Sequence, residues 1–204
     1  MFTARTLLEG KWAILILLVL TLVGLRWCWP AAVISGVLLV FTISFFRDPP
    51  AIIPADEKVI VAPATGRVVE ITPVGDTTMI AIFLSVFDVH VQRAPLAGTI
   101  TAVEYRPGKF LDVRNPQASA ANEYRQIVMV APDGYTVKVR QIAGLIARRI
   151  VGWCGKGATL QKGDHFGMIR FGSRVELFVP AGTEIVAKIG DRAKGGETIV
   201  ARRN

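Results

Sequence analysis

The sequence predicts a mainly β domain placed behind an apolar helical hairpin, and three observations carry that prediction. From Trp12 to Phe46 the only charged residue is Arg26. After Pro50 the chain changes to short runs rich in Val, Ile and Thr, broken by Gly, Pro and Asp. No stretch beyond Pro50 carries a long helical period. The 204 residues suit one domain with an appendage, and the expected boundaries are 1–48 for the hairpin and 49–204 for a compact β-sandwich or barrel-like domain.

The apolar stretch is too long for one span. As a single helix it would reach about 50 Å at 1.5 Å per residue, against a hydrocarbon core of ~30 Å. Arg26, Trp27, Cys28, Trp29 and Pro30 divide it, because proline ends helices and tryptophan favours the membrane interface. The expectation is two legs, Trp12 to Leu25 and Ala31 to Phe46, each shorter than the ~20 residues of a comfortable span. A cleaved signal peptide fits less well, since a second apolar leg follows at once without a small-residue cleavage site. A lipoprotein signal ending at Cys28 is disfavoured by Arg26 and Trp27 just before it. A soluble hairpin would need a polar face that neither leg shows. Arg5, Lys11 and Arg47 flank the hairpin, which by the positive-inside tendency places both its ends in the cytoplasm.

Expected strands run over Lys58 to Ala62, Arg67 to Thr72, Thr78 to Leu84, Thr99 to Tyr105, Gln126 to Ala131, Thr136 to Gln141, Gly144 to Val151 and Glu184 to Lys188. Pro132, Asp133 and Gly134 form a strong turn signal between two of them. Lys109 to Ala121 reads as a loop, and long loops in compact domains tend to be functional. Two segments look alike: Ala62 to Ile71, which opens the domain, and Lys188 to Thr198, which closes it. Together they are similar to the hairpins of biotinyl and lipoyl carrier domains. Neither the Met-Lys nor the Asp-Lys dipeptide of a carrier tip occurs, so the likeness is one of architecture.

The net charge of +8 suits a domain drawn to anionic lipid. A nucleic-acid reading would need a zinc word, a helix-turn-helix pattern or an aromatic-interleaved basic groove, and none is present. Cys28 and Cys154 fit no metal or redox spacing, and both are expected reduced. His90 and His165 are the two histidines. They are distant in sequence and belong to no His-x-His or His-Glu-x-x-His word, so no metal site is expected.

The candidate chemistry lies near the C-terminus, at Phe171-Gly172-Ser173-Arg174 before the apolar run Val175 to Pro180. Taken alone, Gly-Ser is ordinarily a turn. In a strained setting, however, Gly172 leaves its carbonyl open to attack and Ser173 brings a hydroxyl within reach. Attack by Oγ converts the peptide bond to an ester. Elimination then gives dehydroalanine, and hydrolysis gives a pyruvoyl group on a new N-terminus. His90 follows Asp88 by two residues. On a strand both side chains would share a face, where the carboxylate could orient the imidazole for proton transfer.

Four words, in this order and spacing, resemble the short, proteobacterial-type form of pyruvoyl-dependent phosphatidylserine decarboxylase. They are Phe45 to Pro50, Phe83 to Pro95 around His90, Asn122-Glu123-Tyr124-Arg125 with Tyr124 interposed, and Lys162 to Val175 around the Gly172-Ser173 bond. The resemblance implies a membrane-anchored enzyme that cuts itself into a large chain, 1–172, and a small chain, 173–204, which remain together as a heterodimer. Ser173 would become the covalent pyruvoyl group. That group would form a Schiff base with the amine of phosphatidylserine, releasing CO2 and phosphatidylethanolamine, with His90 moving protons and no metal or diffusible cofactor. The implied location is the inner membrane, with the catalytic domain on its cytoplasmic side.

The long-form enzymes of this family place an assisting Asp and a second assisting His where this chain has Thr65 and Arg93. His165 stands where the family does not usually place histidine. Arg93, Arg148, Arg149, Arg170 and Arg174 are candidates for the substrate's phosphate and carboxylate, since guanidinium pairs with both bidentately. Two readings from other classes stay open: a membrane-tethered biotinyl-like adaptor without catalytic activity, which would stay in one piece, and a membrane-anchored metallopeptidase, which metal analysis would reveal.

Overall fold

The computed structural model describes residues 3–115, 117–145, 149–170 and 173–203. The chain divides into two compact units, Met1–Pro50 and Ala51–Asn204.

The first unit is a pair of helices, α1 (Ala4–Trp27) and α2 (Trp29–Phe45). Thr3 caps α1 by accepting from the Thr6 N–H, so the helix starts eight residues earlier than the apolar run. At 24 residues α1 is long and apolar enough to cross a bilayer, which corrects the expectation that both legs are short. The 17-residue α2 is the shorter leg. The turn is also tighter than expected. Cys28 alone separates the helices, and Pro30 sits in the first turn of α2, where its missing N–H costs nothing. Gly24 makes this possible, because a Cβ there would lie 2.6 Å from the Ala32 nitrogen. Thr21 Oγ1 donates to Ser35 Oγ across the pair at 3.1 Å.

The second unit is mainly β. Its elements are β1 (Val59–Val61), β2 (Gly66–Val74), β3 (Thr77–Leu84), β4 (Val91–Arg93), β5 (Gly98–Arg106), α3 (Ala118–Ala121), β6 (Tyr124–Val130), β7 (Thr136–Ala143), β8 (Arg149–Gly152), β9 (Thr159–Leu160), β10 (His165–Arg170), β11 (Ser173–Pro180), β12 (Glu184–Ile185), β13 (Arg192–Ala193) and β14 (Ile199–Arg202). An antiparallel sheet of eight strands runs in the order β13-β2-β3-β11-β7-β6-β5-β9, beside two three-stranded sheets, β4-β10-β8 and β1-β14-β12. Among the described residues the large sheet stays open rather than closing into a barrel.

Alternation along β11 shows how the layers pack. Val175, Leu177 and Val179 point into the main core with Ile82, Ile127, Val139 and Ile169. Arg174, Glu176 and Phe178 point to the other face. The β4-β10-β8 sheet covers the inner face closely, and a Cβ on Gly167 of β10 would meet Gln141 Nε2 of β7 at 2.8 Å. The two look-alike segments zip together. Arg67 and Gly66 pair with Arg192 and Ala193, and Ala62 N–H donates to Thr198 O at 2.8 Å.

Most expected strands appear within a few residues of their predicted ends. Of the expected strand from Gly144 to Val151, the described part is strand only from Arg149; residues 146–148, with Arg148, lie outside the described residues. The expected loop from Lys109 to Ala121 holds one helical turn, α3.

Candidate active site

Ser173 is the first residue of β11 and is fully buried. It pairs with Leu84, the last residue of β3, and with Ala143, the last residue of β7. Paired residues share a face, so the Ser173 side chain points inward with Val175, Gln141 and Arg125. Among the described residues its hydroxyl has no hydrogen-bond partner. A buried hydroxyl left in this way ordinarily costs about 1–3 kcal/mol, so the position calls for an explanation. Phe171 and Gly172, the other half of the predicted cleavage bond, lie outside the described residues.

His90 is also fully buried, and its surroundings correct the sequence reading. Residues 85–90 form a turn rather than a strand, closed by Asp88 N–H donating to Ser85 O at 2.9 Å. The Asp88 carboxylate does not orient the imidazole. Its Oδ2 accepts from the Ser85 N–H and hydroxyl, both at 2.8 Å, and its Oδ1 accepts from Arg192. The imidazole is held by the Asp88 backbone instead, with Nδ1 2.9 Å from the carbonyl oxygen. A carbonyl can only accept, so Nδ1 carries the proton and the lone pair of the neutral ring sits on Nε2.

A buried polar relay joins the His90 segment to Arg125. The His90 carbonyl accepts from Gln92 Nε2 at 2.8 Å. Gln92 Oε1 accepts from Gln141 Nε2 at 2.8 Å, and Gln141 Oε1 accepts from Arg125 Nη1 at 3.1 Å. Arg125 Nη2 donates onward to Cys154 O at 2.5 Å. The guanidinium can only donate and the two carbonyls can only accept, so both ends of the chain set both amides in the same sense. Burial pulls Arg125 down from the ordinary guanidinium value. The His90 carbonyl also accepts from Ile169 N–H at 3.3 Å, which ties this segment to β10 as that strand runs toward Ser173.

The Asn122 word sits beside the same strand ends. Asn122 donates to Ala143 O and Leu111 O, both at 2.8 Å, and accepts from Leu111 N–H at 2.9 Å. The 109–122 loop is thereby pinned next to the residue that pairs with Ser173. Strand alternation explains the interposed Tyr124. It points outward, donating to Glu104 Oε1 at 2.6 Å with Arg140 stacked on its ring, while Arg125 points inward.

The structure sorts the remaining candidates. Arg174 lies on the outer face, donating to Glu176 at 2.9 Å and to Glu70 at 2.7 Å, and is therefore committed away from the Ser173 side. Arg93 donates to Gly163 O at 3.1 Å. Arg149 and Arg170 pair directly across β8 and β10, and Arg170 is the last residue of β10. Thr65 precedes Gly66 at the start of β2, and its Oγ1 accepts from Gly195 N–H at 2.9 Å. His165 opens β10, with its ring 6.2 Å from that of Trp153. Sequence reasoning missed Gln92 and Gln141. A signal for Gln141 was present: it is a polar residue in register with the inward Val137 and Val139.

The described residues thus hold a buried serine at a strand start and a buried imidazole held by a backbone carbonyl; the comparisons give the class, a decarboxylase, and with it the family. A family model described as phosphatidylserine decarboxylase matches residues 38–201. A phosphatidylserine decarboxylase proenzyme of Geobacter sulfurreducens is 42% identical, covering 94% of each chain. Proenzymes of the same name from Gluconacetobacter diazotrophicus and Trichlorobacter lovleyi are 44% and 46% identical, over 87% and 85% of this chain and 82% and 81% of theirs. The chain belongs to the phosphatidylserine decarboxylase family.

The relay makes one prediction. Gln141→Leu strands both Arg125 and Gln92 in the core, and should lower stability by about 2–4 kcal/mol, from two unsatisfied groups. Urea denaturation of the full chain measures it, and a change near zero would show that the relay is replaceable.

Proposed function

We propose that this chain decarboxylates phosphatidylserine to phosphatidylethanolamine, after cutting itself between Gly172 and Ser173. The observation that carries this reading is the buried Ser173 hydroxyl at the first position of β11, which has no hydrogen-bond partner among the described residues. Oγ attacks the Gly172 carbonyl carbon, and the amide nitrogen leaves with a proton, giving an ester. Loss of the Ser173 Cα proton expels the Gly172 carboxylate. Hydrolysis of the resulting dehydroalanine releases ammonia and leaves the pyruvoyl group. The site fits such a group, since Ser173 is fully buried and its Oγ has no hydrogen-bond partner among the described residues. Once formed, the group supplies an electrophilic carbonyl that takes up electrons as CO2 departs.

The chain's own residues supply the rest. His90, with Nδ1–H tied to the Asp88 carbonyl, presents Nε2 as the atom that takes and returns protons. Arg149 and Arg170 stand side by side on adjacent strands. A guanidinium pairs bidentately with phosphate or carboxylate, and two of them in register on neighbouring strands suit the anionic part of the headgroup. The small chain, 173–204, would carry β11 to β14. Because β11 pairs with β3 along its whole length and with β7 over Ser173 to Phe178, the heterodimer would persist after the cut. The proposed site of action is the cytoplasmic side of the inner membrane, with the apolar hairpin as anchor.

Denaturing mass spectrometry should give two fragments for the parent chain, the smaller blocked at its N-terminus by the pyruvoyl group. Ser173→Ala should give one uncut chain with no CO2 release. A parent chain that stays whole after incubation with membranes would point instead to the adaptor reading.

His90→Ala should slow maturation or decarboxylation by roughly 10²-fold or more, while His165→Ala does little. Equal small effects at both positions, read from precursor loss and CO2 release, would make His90 structural.

Thr65 and Asp88 separate two sources of assistance. An Asp at 65 can keep the bond to Gly195 N–H and add a charge, so Thr65→Asp should speed precursor loss several-fold. Asp88→Asn loosens the 85–88 turn but leaves the carbonyl that holds His90, so it should lower thermal stability more than it slows maturation. The reverse ranking in a time course of precursor loss would overturn this assignment.

A further inference from the structure

Two loops leave the large sheet at the end where Ser173 sits. One follows β3 and the other follows β7, the two strands whose last residues pair with Ser173. β3 and β7 both run antiparallel to β11, so residues 85–88 and 144–145 emerge in one direction beside its first residue. Each carries a large apolar side chain in the open: Phe87 is 71% exposed and Leu145 is 63% exposed. Single exposed apolar residues are ordinary on protein surfaces. These two differ in flanking one buried hydroxyl from both sides.

The charge at this end has one dominant sign. Arg106 ends β5 opposite Tyr124, with Lys109 just beyond it, and Arg149 opens β8. Arg67 and Arg192 pair across β2 and β13. All five are exposed, and of them Arg192 is ion-paired with Asp88. Of the acidic groups there, Asp88 is buried and bound to Arg192, Asp112 is bound to Arg114, which holds its carboxyl down at about 2, and Glu104 accepts from Tyr124. Glu123 is half-buried, and Asp191 beside Arg192 is exposed, with Oδ2 accepting from Lys188 N–H at 2.8 Å. The far end of the sheet is different, with tips formed by Gly75 and Asp76 and by Asp133 and Gly134.

We infer that the Ser173 end of the sheet docks onto an anionic lipid bilayer, with Phe87 and Leu145 sunk into the interface and the basic rim against the headgroups. Exposed apolar tips ringed by Arg and Lys are the chemistry of interfacial binding. The same chain carries a helix long and apolar enough to cross a bilayer. The inference deepens the reading of Ser173 as the reacting residue and rests on it for its purpose: the mouth of the site would open onto lipid, so that a headgroup enters while its acyl chains stay in the bilayer.

The test uses the full chain, with Cys28→Ser and Cys154→Ser, in nanodiscs of phosphatidylcholine with about one-third phosphatidylglycerol. An environment-sensitive fluorophore is placed in turn at Phe87→Cys, Leu145→Cys and, as the far-end control, Asp76→Cys. Replacing the acyl chains with brominated ones should quench the first two about twofold or more and leave the third unchanged. No quenching at Phe87 and Leu145, or equal quenching at Asp76, overturns the docking. In parallel, the double variant Phe87→Asp, Leu145→Asp should lose about tenfold of its activity on bilayer phosphatidylserine while keeping its activity on a water-soluble short-chain form. Equal loss on both substrates places the defect in the site and overturns the docking. A parent chain inactive on both, yet quenched at Phe87 and Leu145, would overturn the decarboxylase reading and leave the docking standing.

Discussion

The structure depends on β11 being hydrogen-bonded along both edges from its first residue. Ser173 begins the strand between the last residues of β3 and β7, so a chain that began at this residue would start already paired on both sides. A chain end at this point would ordinarily fray. Here eight register pairs on one side and six on the other oppose fraying. The inward residues of the same strand supply part of the main core. The placement that would hold a terminus here also buries the serine, so both properties follow from one strand position.

The polar relay under this strand belongs to a different energetic class. Apolar side chains in place of Gln92, Gln141 and Arg125 would fill the space at less desolvation cost, as buried charges seldom add net stability. What the relay supplies is direction. Its amides have one consistent orientation from Cys154 O to His90 O. It therefore fixes the backbone of the turn whose Asp88 carbonyl selects the His90 tautomer. A hydrophobic core would hold the two sheets together but would leave that turn free to shift.

Much of the fold was legible because period-2 patterning and turn residues act locally. The hairpin, the β character of the domain and the strands bearing Val, Ile and Thr were all visible in that way. The first helix came out longer because a Thr cap acts upstream of the apolar run, where hydropathy carries no signal. The site was legible only in part. Ser173 and His90 stood out by residue type, but the partner of His90 is a backbone carbonyl, which no side-chain pattern announces. The spacing of Asp88 and His90 suggested a shared strand face; the Ser85 to Asp88 turn removes it, since the Asp88 carboxylate is used in closing that turn and binding Arg192. The partnership of Arg125, Gln141 and Gln92 is fixed by register between distant strands, which local sequence does not encode.

The residue after Ser173 shows why alternation matters at this site. Arg174 points to the outer face, where it donates to Glu176, fully buried, and to Glu70. Arg140 reaches Glu176 from the other side at 3.7 Å and stacks on Tyr124 and Phe178. The start of β11 is thus clamped by charge on one face, while on the other the Ser173 hydroxyl has no partner among the described residues. Hydrogen bonding from Arg174 holds the Glu70 carboxyl below its ordinary value. A carboxylate whose folded value is depressed adds stability that is present above its unfolded value and lost as pH falls through the folded one. This arm of the clamp therefore persists through neutral pH and releases only in acid. Glu70 is partly exposed, so solvent screens its share of the clamp. The buried Glu176, bonded directly to Arg174, is the firmer of the two anchors at the position where the chain end would form.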